Sequence, residues 1–196
     1  MMPQSLLPVR MKCAAQWMKI LLFIFLSCCP VFHLAAGPAL AQAVQEYEIK
    51  AAFIYNFAKF VEWPPEDAGN TGPITIAVVG KDPFGDALDL LKEKTIGTRK
   101  IEVKRFTRVD DIAKCHILFV SASENHRLSH ILKITEKWHA LTVGDVTGFA
   151  RSGGIINFTV IGDKVRFEIN VEAAHRAGLK ISSQLLKLAT IVREGA

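Results

Sequence analysis

The chain has 196 residues, a length that favours a single domain, and half of its residues are hydrophobic. Its 24 basic and 19 acidic residues give a net charge of +5. Three of the basic residues and none of the acidic ones lie in residues 1–41, so the other 155 residues carry a net charge of only +2. A charge this close to neutral gives no support to nucleic-acid binding.

Residues 1–41 have the pattern of a secretory signal peptide. Basic residues precede an apolar run at 20–26, small residues follow, and Ala39-Leu40-Ala41 forms an A-x-A cleavage site. The apolar run is shorter than the ~20 residues that cross a bilayer, so an uncleaved membrane anchor is disfavoured. The pattern predicts an exported protein, cleaved after Ala41, with one domain over residues 42–196 and no membrane span.

Cysteine use predicts a domain held together by its core rather than by disulfides. Of the four cysteines, only Cys115 follows the predicted cleavage site, and one thiol cannot form an intrachain bridge. A domain of about 155 residues can bury roughly 70% of its unfolded surface without such a bridge. Cys115 precedes an apolar run at 116–120, so we expect a buried, unreactive thiol rather than a redox-active one.

The first predicted element after the leader is a helix over residues 47–62 with an unusually wide apolar side. At 100° per residue, this side centres on Ile54 and includes Lys50. Three further apolar residues widen it to about 200°, whereas an ordinary surface helix needs about 100°. These residues are Ile49, Phe53 and Phe60. The excess apolar surface is covered either by another element of the same domain or by a second chain that contacts Phe53 and Phe60.

Short β-branched runs then alternate with helical patterns as far as residue 144. Strands are predicted at 74–79, 101–106, 117–121 and 141–144. Helices are predicted at 86–94 and 126–138. Strands that alternate with helices indicate a mainly parallel sheet covered by helices on both faces.

The pattern changes near residue 155, where two strand-like runs flank Gly162-Asp163-Lys164. Runs at 155–161 and 165–171 around such a turn predict an antiparallel hairpin. The predicted fold is therefore one three-layer α/β/α domain, with a mainly parallel sheet and an antiparallel C-terminal hairpin at its edge.

Two short helices are expected after this hairpin. Asn170 is the predicted cap of a helix over 171–177 that Gly178 ends. Ser182 or Ser183 is the predicted cap of the last helix. That helix is expected to carry Leu185, Leu186, Leu188, Ala189 and Val192.

Polar side chains follow three of the predicted parallel strands, at the ends where ligands bind in open α/β sheets. These side chains are Lys81, Asp82, Ser121, Ser123 and Asp145. We expect them to line a crevice for a small polar ligand, although Asp82 and Asp145 could equally cap helices or tighten turns. This ligand crevice is one of two functional hypotheses that the sequence supports.

Catalytic and metal-binding patterns are absent from the sequence. There is no G-x-S-x-G motif, and the loop at 80–85 matches neither common phosphate-binding pattern. His126 and His130 are four residues apart on a predicted helix, but two ligands at helical spacing do not make a metal site. The sequence therefore predicts a protein that is not an enzyme and holds no metal or cofactor.

Four segments together resemble the YfiR family of bacterial periplasmic proteins. In chain order they read EYEIKAAFIYNFAKFVEWP from Glu46, ITIAVVGKDPFGDAL, CHILFVSASE, and GGIINFTVIGDKVRFEINVEAAHRAGLKISSQLLKLATIV. Each segment alone is moderately specific, but their order is more so, and they cover nearly all of residues 42–196.

The resemblance implies a periplasmic, non-enzymatic regulator. A member of this family is a homodimer that represses an inner-membrane diguanylate cyclase by binding its periplasmic sensor region, which lowers cyclic di-GMP and biofilm formation. By resemblance we expect a homodimer whose partner is such a cyclase or another membrane sensor protein. The candidate partner or dimer interface consists of Ile49, Phe53, Phe60, Leu179 and Ile181. Redox control through an intrachain disulfide does not carry over, because only Cys115 follows the leader.

Overall fold

The computed structural model describes residues 38–64 and 72–195. Residues 1–37, which belong to the predicted signal peptide, residues 65–71 and residue 196 lie outside this part. A search of the described residues finds no helix that combines the length and the hydropathy needed to cross a bilayer.

Helices and short strands alternate along the described chain. Its α-helices are α1 (Pro38–Phe60), α2 (Leu128–Glu136), α3 (Val171–Arg176) and α4 (Ser183–Leu186). Its strands are β1 (Val61–Glu62), β2 (Ile74–Val79), β3 (Thr95–Ile96), β4 (Arg99–Phe106), β5 (Ile117–Val120), β6 (Leu141–Gly144), β7 (Ile156–Ile161), β8 (Lys164–Asn170), β9 (Lys180–Ile181) and β10 (Thr190–Val192).

Eight of these strands form one sheet in the order β10-β8-β7-β6-β5-β2-β4-β3. β4, β2, β5, β6 and β7 are parallel neighbours, and β7 and β8 form the antiparallel hairpin. The mixed sheet with helices and the hairpin confirms the predicted three-layer α/β/α fold class. β1 and β9 form a separate two-stranded antiparallel sheet that joins the end of α1 to the segment before α4.

The core occupies both faces of the sheet, because the central strands are buried throughout. In β5, Ile117 and Phe119 belong to the cluster that contains α1, whereas Leu118 and Val120 belong to the cluster that contains α2. This alternation follows from the period of two residues along a strand. It explains why β2 and β5 appear in the sequence as continuous apolar runs.

The predicted helix at 86–94 is wrong in type. The chain forms two short 3-10 segments there, Gly85–Ala87 and Asp89–Glu93, whose turns bring Leu88 and Leu91 into the core. Residues three apart lie on the same side of a 3-10 helix, so this spacing suits the tighter geometry. The predicted helix at 126–138 is shorter than expected, since a 3-10 segment, Ala122–Arg127, precedes α2.

The caps of the last two helices are confirmed, but the extent of the last helix is wrong. The Asn170 side chain accepts a hydrogen bond from the Ala173 N–H at 2.9 Å, and the Ser182 side chain accepts one from Leu185 at 3.3 Å. α4 nevertheless ends at Leu186, and β10 pairs in parallel with β8 outside the hairpin. β-branched residues such as Val192 fit a sheet edge, and this tertiary pairing overrides the helical spacing of the sequence.

We predict that the Cys115 thiol is unreactive in the folded protein. It is buried in the α2-side cluster, and burial raises its pKa to about 12, so almost no thiolate is present near neutral pH. Iodoacetamide treatment at pH 8, followed by peptide mass spectrometry, is expected to leave Cys115 unmodified in the native chain and to alkylate it fully in urea. Equal alkylation in both conditions would contradict the burial.

Candidate functional site

The sheet has a topological switch point between β2 and β5. The chain passes from β2 to β4 on one side, then returns to β5 on the other side and continues away to β6. The loops that follow β2 and β5 therefore diverge and leave a crevice beyond the carboxyl ends of these strands. In open α/β sheets this is where ligands bind.

The structure brings all five predicted crevice residues together there. We use the name polar crevice for a cavity of about 220 Å³ that these residues line together with Tyr47 of α1. The five are Lys81, Asp82, Ser121, Ser123 and Asp145. The switch-point rule, applied to the predicted strands, was sufficient to place them.

Serine side chains tie the loops of the polar crevice to each other. Ser121 Oγ donates a hydrogen bond to the Lys81 carbonyl at 2.7 Å, and the Lys81 N–H donates one to Ser123 Oγ at 3.0 Å. The preceding residue, Gly80, has a φ of +90°, and a Cβ there would lie 2.4 Å from Ser123 Oγ. Glycine is therefore required at this position, both for its backbone conformation and for the close approach.

Asp82 stabilises a turn, which is one of the two roles that the sequence left open. Its carboxylate accepts hydrogen bonds from the Phe84 N–H at 2.8 Å and from Arg105 Nε at 2.6 Å. Arg105 also donates to Asp89, and this hydrogen bond holds the pKa of Asp89 below its ordinary value. The charge of Asp82 is thus already balanced within the chain.

Asp145 anchors α1 to the carboxyl end of β6. Its Oδ2 accepts hydrogen bonds from Tyr47 Oη and from Lys50 Nζ, both at 2.8 Å. Lys50 is only 3% exposed, and its ammonium also lies 2.6 Å from the Glu46 carboxylate. Burial raises the pKa of Tyr47 above its ordinary value, and the negative charge of Asp145 raises it further.

Sequence reasoning missed this pairing, although a signal for it was present. Lys50 falls on the apolar side of the predicted helix, and a lysine there needs a buried partner. Asp145 was assigned to the ligand crevice instead, and nothing in the local sequence joins two residues 95 positions apart.

A second concave surface lies between α1 and α4. We call it the apolar groove, a cavity of about 200 Å³ lined mainly by hydrophobic side chains. Its lining includes Phe53, Asn56, Phe60, Phe167, Leu185 and Leu188. Phe53 and Phe60 thus pack partly within the domain and partly line an open groove. Leu188 is 71% exposed.

The other three interface candidates lie in different environments. Ile49, one turn before Phe53 on α1, is 40% exposed. Ile181 is half-buried and pairs with Val61 between β9 and β1. Leu179 is buried in the core, so its side chain is not available to a second chain in this structure, and we remove it from the candidate interface. Leu179 lies only two residues from Ile181, and the local sequence does not distinguish the buried residue from the half-buried one.

The two histidines at helical spacing lie apart from the crevice and the groove. Both His126 and His130 are exposed. In the described ranges, no three His, Cys, Asp or Glu side chains come together in a way that could hold a metal ion.

A family model described as YfiR/HmsC-like matches residues 47–190, and the chain therefore belongs to the YfiR/HmsC-like family. Among solved structures, it is similar to a conserved domain protein from Vibrio cholerae O1 biovar El Tor, with 14% identity and a TM-score of 0.52. That match covers 74% of this chain and 59% of the other, so the chain spans less than two thirds of the solved protein. At this identity the likeness shows the fold alone.

A second solved structure is the ABC domain in complex with L-Trp from Streptococcus pneumoniae. It shares 11% identity and a TM-score of 0.48, over 74% of this chain and 60% of the other.

We predict that removing the Lys50 charge destabilises the fold strongly. Lys50→Met leaves the buried Asp145 carboxylate without its counter-ion, which should lower the free energy of unfolding by about 3–5 kcal/mol in urea titrations. Lys59→Met, on the exposed side of the same helix, should cost less than about 1 kcal/mol.

The double variant Lys50→Met/Asp145→Leu should recover much of the loss, because it removes both charges. If Lys50→Met were as stable as Lys59→Met, the ion pair would not be what anchors α1.

Proposed function

We propose that this member of the YfiR/HmsC-like family is a periplasmic regulator that binds the periplasmic sensor region of an inner-membrane diguanylate cyclase and represses it. Family membership supports the coarser statement, a periplasmic regulatory protein, and the repression of a cyclase is our inference from it. The consequence in the cell is lower cyclic di-GMP and less biofilm. The protein acts by contact with its partner and catalyses no reaction.

The apolar groove is the observation that favours a protein partner. It presents the half-buried Phe53 and Phe60 of α1 beside Leu188, which follows α4 and is exposed. Phe53 and Phe60 belong to the apolar side of α1 that is wider than an ordinary surface helix needs. Apolar side chains that stay exposed in a folded domain gain stability when another chain covers them, at about 25 cal/mol per Å² of buried apolar surface. A helix or strand of a membrane sensor protein is a partner that could supply this cover.

We also propose that the protein is a homodimer, with the edge of the sheet at β10 as the contact. No other strand of the described chain pairs with the outer side of β10. Ile191 on this strand is 51% exposed. An edge with unpaired backbone groups and an exposed apolar side chain offers a second copy a strand to pair with. This assignment leaves the apolar groove for the partner.

We predict that Leu188→Asp abolishes partner binding while the fold stays intact. A carboxylate at this position would have to lose its water to enter an apolar contact. The matched control is Leu90→Asp. Leu90 is 68% exposed, almost as much as Leu188, but it belongs to the 3-10 segment Asp89–Glu93 and does not line the groove. In cells that carry the cyclase, Leu188→Asp should raise cyclic di-GMP to the level of a deletion strain, and Leu90→Asp should not.

Crosslinking in the periplasm, followed by mass spectrometry, checks the same variants directly. The wild type and Leu90→Asp should capture an inner-membrane sensor protein, and Leu188→Asp should not. Normal capture by Leu188→Asp would exclude the groove as the partner site.

The alternative function is small-ligand binding in the polar crevice. One observation favours it, namely that the five predicted residues converge on a single cavity at the switch point. Against it, the side chains of Asp82, Ser121, Ser123 and Asp145 all bond other groups of the chain. A ligand would have to replace these contacts or add to them.

A thermal-shift screen against polar metabolites tests the alternative. A ligand at 100 times its Kd should stabilise the fold by about 2.7 kcal/mol, and Lys81→Ala, at the exposed rim of the crevice, should weaken the effect. Lys187→Ala, an exposed lysine elsewhere, is the control. Without any shift in the wild type, the crevice is a structural feature only.

A further inference from the structure

The β7–β8 hairpin extends past the strands on either side of it. β6 pairs with β7 only over residues 156–157, and β10 pairs with β8 only over residues 168–170. In the part of the chain that the structure describes, residues 159–161 and 164–166 therefore pair only with each other. We call the outer side of residues 164–166 the free edge of β8. It is about 10 Å long, at ~3.3 Å per residue.

The backbone of Val165 points towards this free edge. In an antiparallel pair of strands, residue pairs that exchange hydrogen bonds alternate with pairs whose N–H and C=O groups point outwards. The Asn170 N–H donates to the Ile155 carbonyl at 2.9 Å, so this pair is of the first kind. Along the register from there, Val160 and Val165 form a pair of the second kind. Val165 therefore offers one backbone donor and one backbone acceptor to an added strand.

Two cations lie on one face of the free edge. Lys164 and Arg166 are both exposed, and because they are two residues apart they share a face of the strand. Neither forms an ion pair with another described residue. Asp163 lies in the turn, and Glu168, the next residue on the same face, already accepts a hydrogen bond from Asn157 at 3.1 Å. A facing strand with carboxylates is therefore favoured over one with lysines.

The opposite face of the free edge is apolar and leads to the apolar groove. Val165 and Phe167 alternate with the two cations and belong to the cluster that contains α1. Phe167 also lines the apolar groove, together with Phe53 and Leu188. Apolar side chains on this face of an added strand would thus lie beside the groove, on the side of the sheet that α1 covers.

Other occupants fit the free edge less well. A helix has few backbone groups left to pair with Val165, because its N–H and C=O groups bond within the helix. The free edge of a second copy would place two further cations opposite Lys164 and Arg166, and like charges on facing strands are destabilising. An extended segment that carries carboxylates avoids both problems.

We propose that the free edge of β8 binds an extended segment in which apolar and acidic side chains alternate, and that this segment joins the sheet as an additional strand. Its backbone pairs with Val165, its carboxylates lie beside Lys164 and Arg166, and its apolar side chains lie on the α1 side. The proposal deepens the function proposed above, because it makes the contact segment of the partner a strand. It rests on that function only for the identity of the partner.

The first test uses a capped octapeptide of alternating valine and glutamate as the probe and the backbone amide resonances of the ¹⁵N-labelled chain as the readout. The Val165 resonance should move saturably, and its amide proton should exchange more slowly with solvent, because the N–H gains an acceptor. Val160, on the opposite edge of the hairpin, is the internal control and should keep its exchange rate. An octapeptide of alternating valine and lysine should bind at least about tenfold more weakly. An unchanged Val165 resonance, or equal binding of the two peptides, overturns the proposal.

The second test reverses the charges of the free edge. Lys164→Glu/Arg166→Glu should bind the lysine peptide at least about tenfold more tightly than the glutamate peptide, which is the opposite of the wild-type preference. Lys133→Glu/Lys137→Glu makes the same change of charge at two exposed lysines, one in α2 and one just after it, and should keep the wild-type preference. If the free-edge variant still prefers the glutamate peptide, the two cations do not select the strand and the proposal fails.

The outcomes also separate this proposal from the function proposed above. Peptide binding at the free edge without capture of an inner-membrane sensor protein supports the strand site and contradicts the partner. Capture of such a protein by both the wild type and Lys164→Glu/Arg166→Glu, without peptide binding, supports the partner and overturns the strand site.

Discussion

The buried contact between Lys50 and Asp145 is the interaction on which the rest of this fold depends. Removing a lysine and a carboxylate from water is costly, and close geometry with additional hydrogen bonds has to offset that cost. Here Asp145 Oδ2 receives both Lys50 and Tyr47, and Glu46 adds a second carboxylate to the same ammonium. Such a contact tolerates little displacement, so it fixes the rotation and the position of α1 on the sheet.

Both concave surfaces near α1 follow from this fixed position. Tyr47 becomes a wall of the polar crevice because it shares Asp145 with Lys50. Further along the helix, Phe53 and Phe57 are placed against Phe158 and Phe167 of the hairpin, with ring centroids 5.1 to 6.1 Å apart. This contact covers one part of the wide apolar side, and α4 covers another. The part that remains is the apolar groove, so the helix serves as a core element and as a candidate contact surface.

Much of the fold could be predicted because its signals are local. The continuous apolar runs of β2 and β5, the turn at Gly162 and the caps Asn170 and Ser182 depend on residues close together in sequence. The crevice residues were predictable from the expected sheet and the switch-point rule. Other features depend on distant contacts: the Lys50–Asp145 pair, the burial of Leu179 and the pairing of β10 with β8. Periodicity cannot tell a helix from an edge strand when a β-branched run such as 190–192 follows a capped turn.

The two concave surfaces near α1 differ in how much binding free energy a ligand or a protein partner would gain from them. In the polar crevice most hydrogen-bonding groups already have partners, so a ligand exchanges one set of hydrogen bonds for another, and the net gain of each exchange is small. In the apolar groove less exchange is needed, because the exposed parts of Phe53, Phe60 and Leu188 have only water to lose. Hydrogen bonds and an ion pair are therefore used within the chain to fix α1, whereas the surface that the groove exposes to other molecules is apolar. That division suits a regulator, because a regulator acts by binding another molecule and releasing it again.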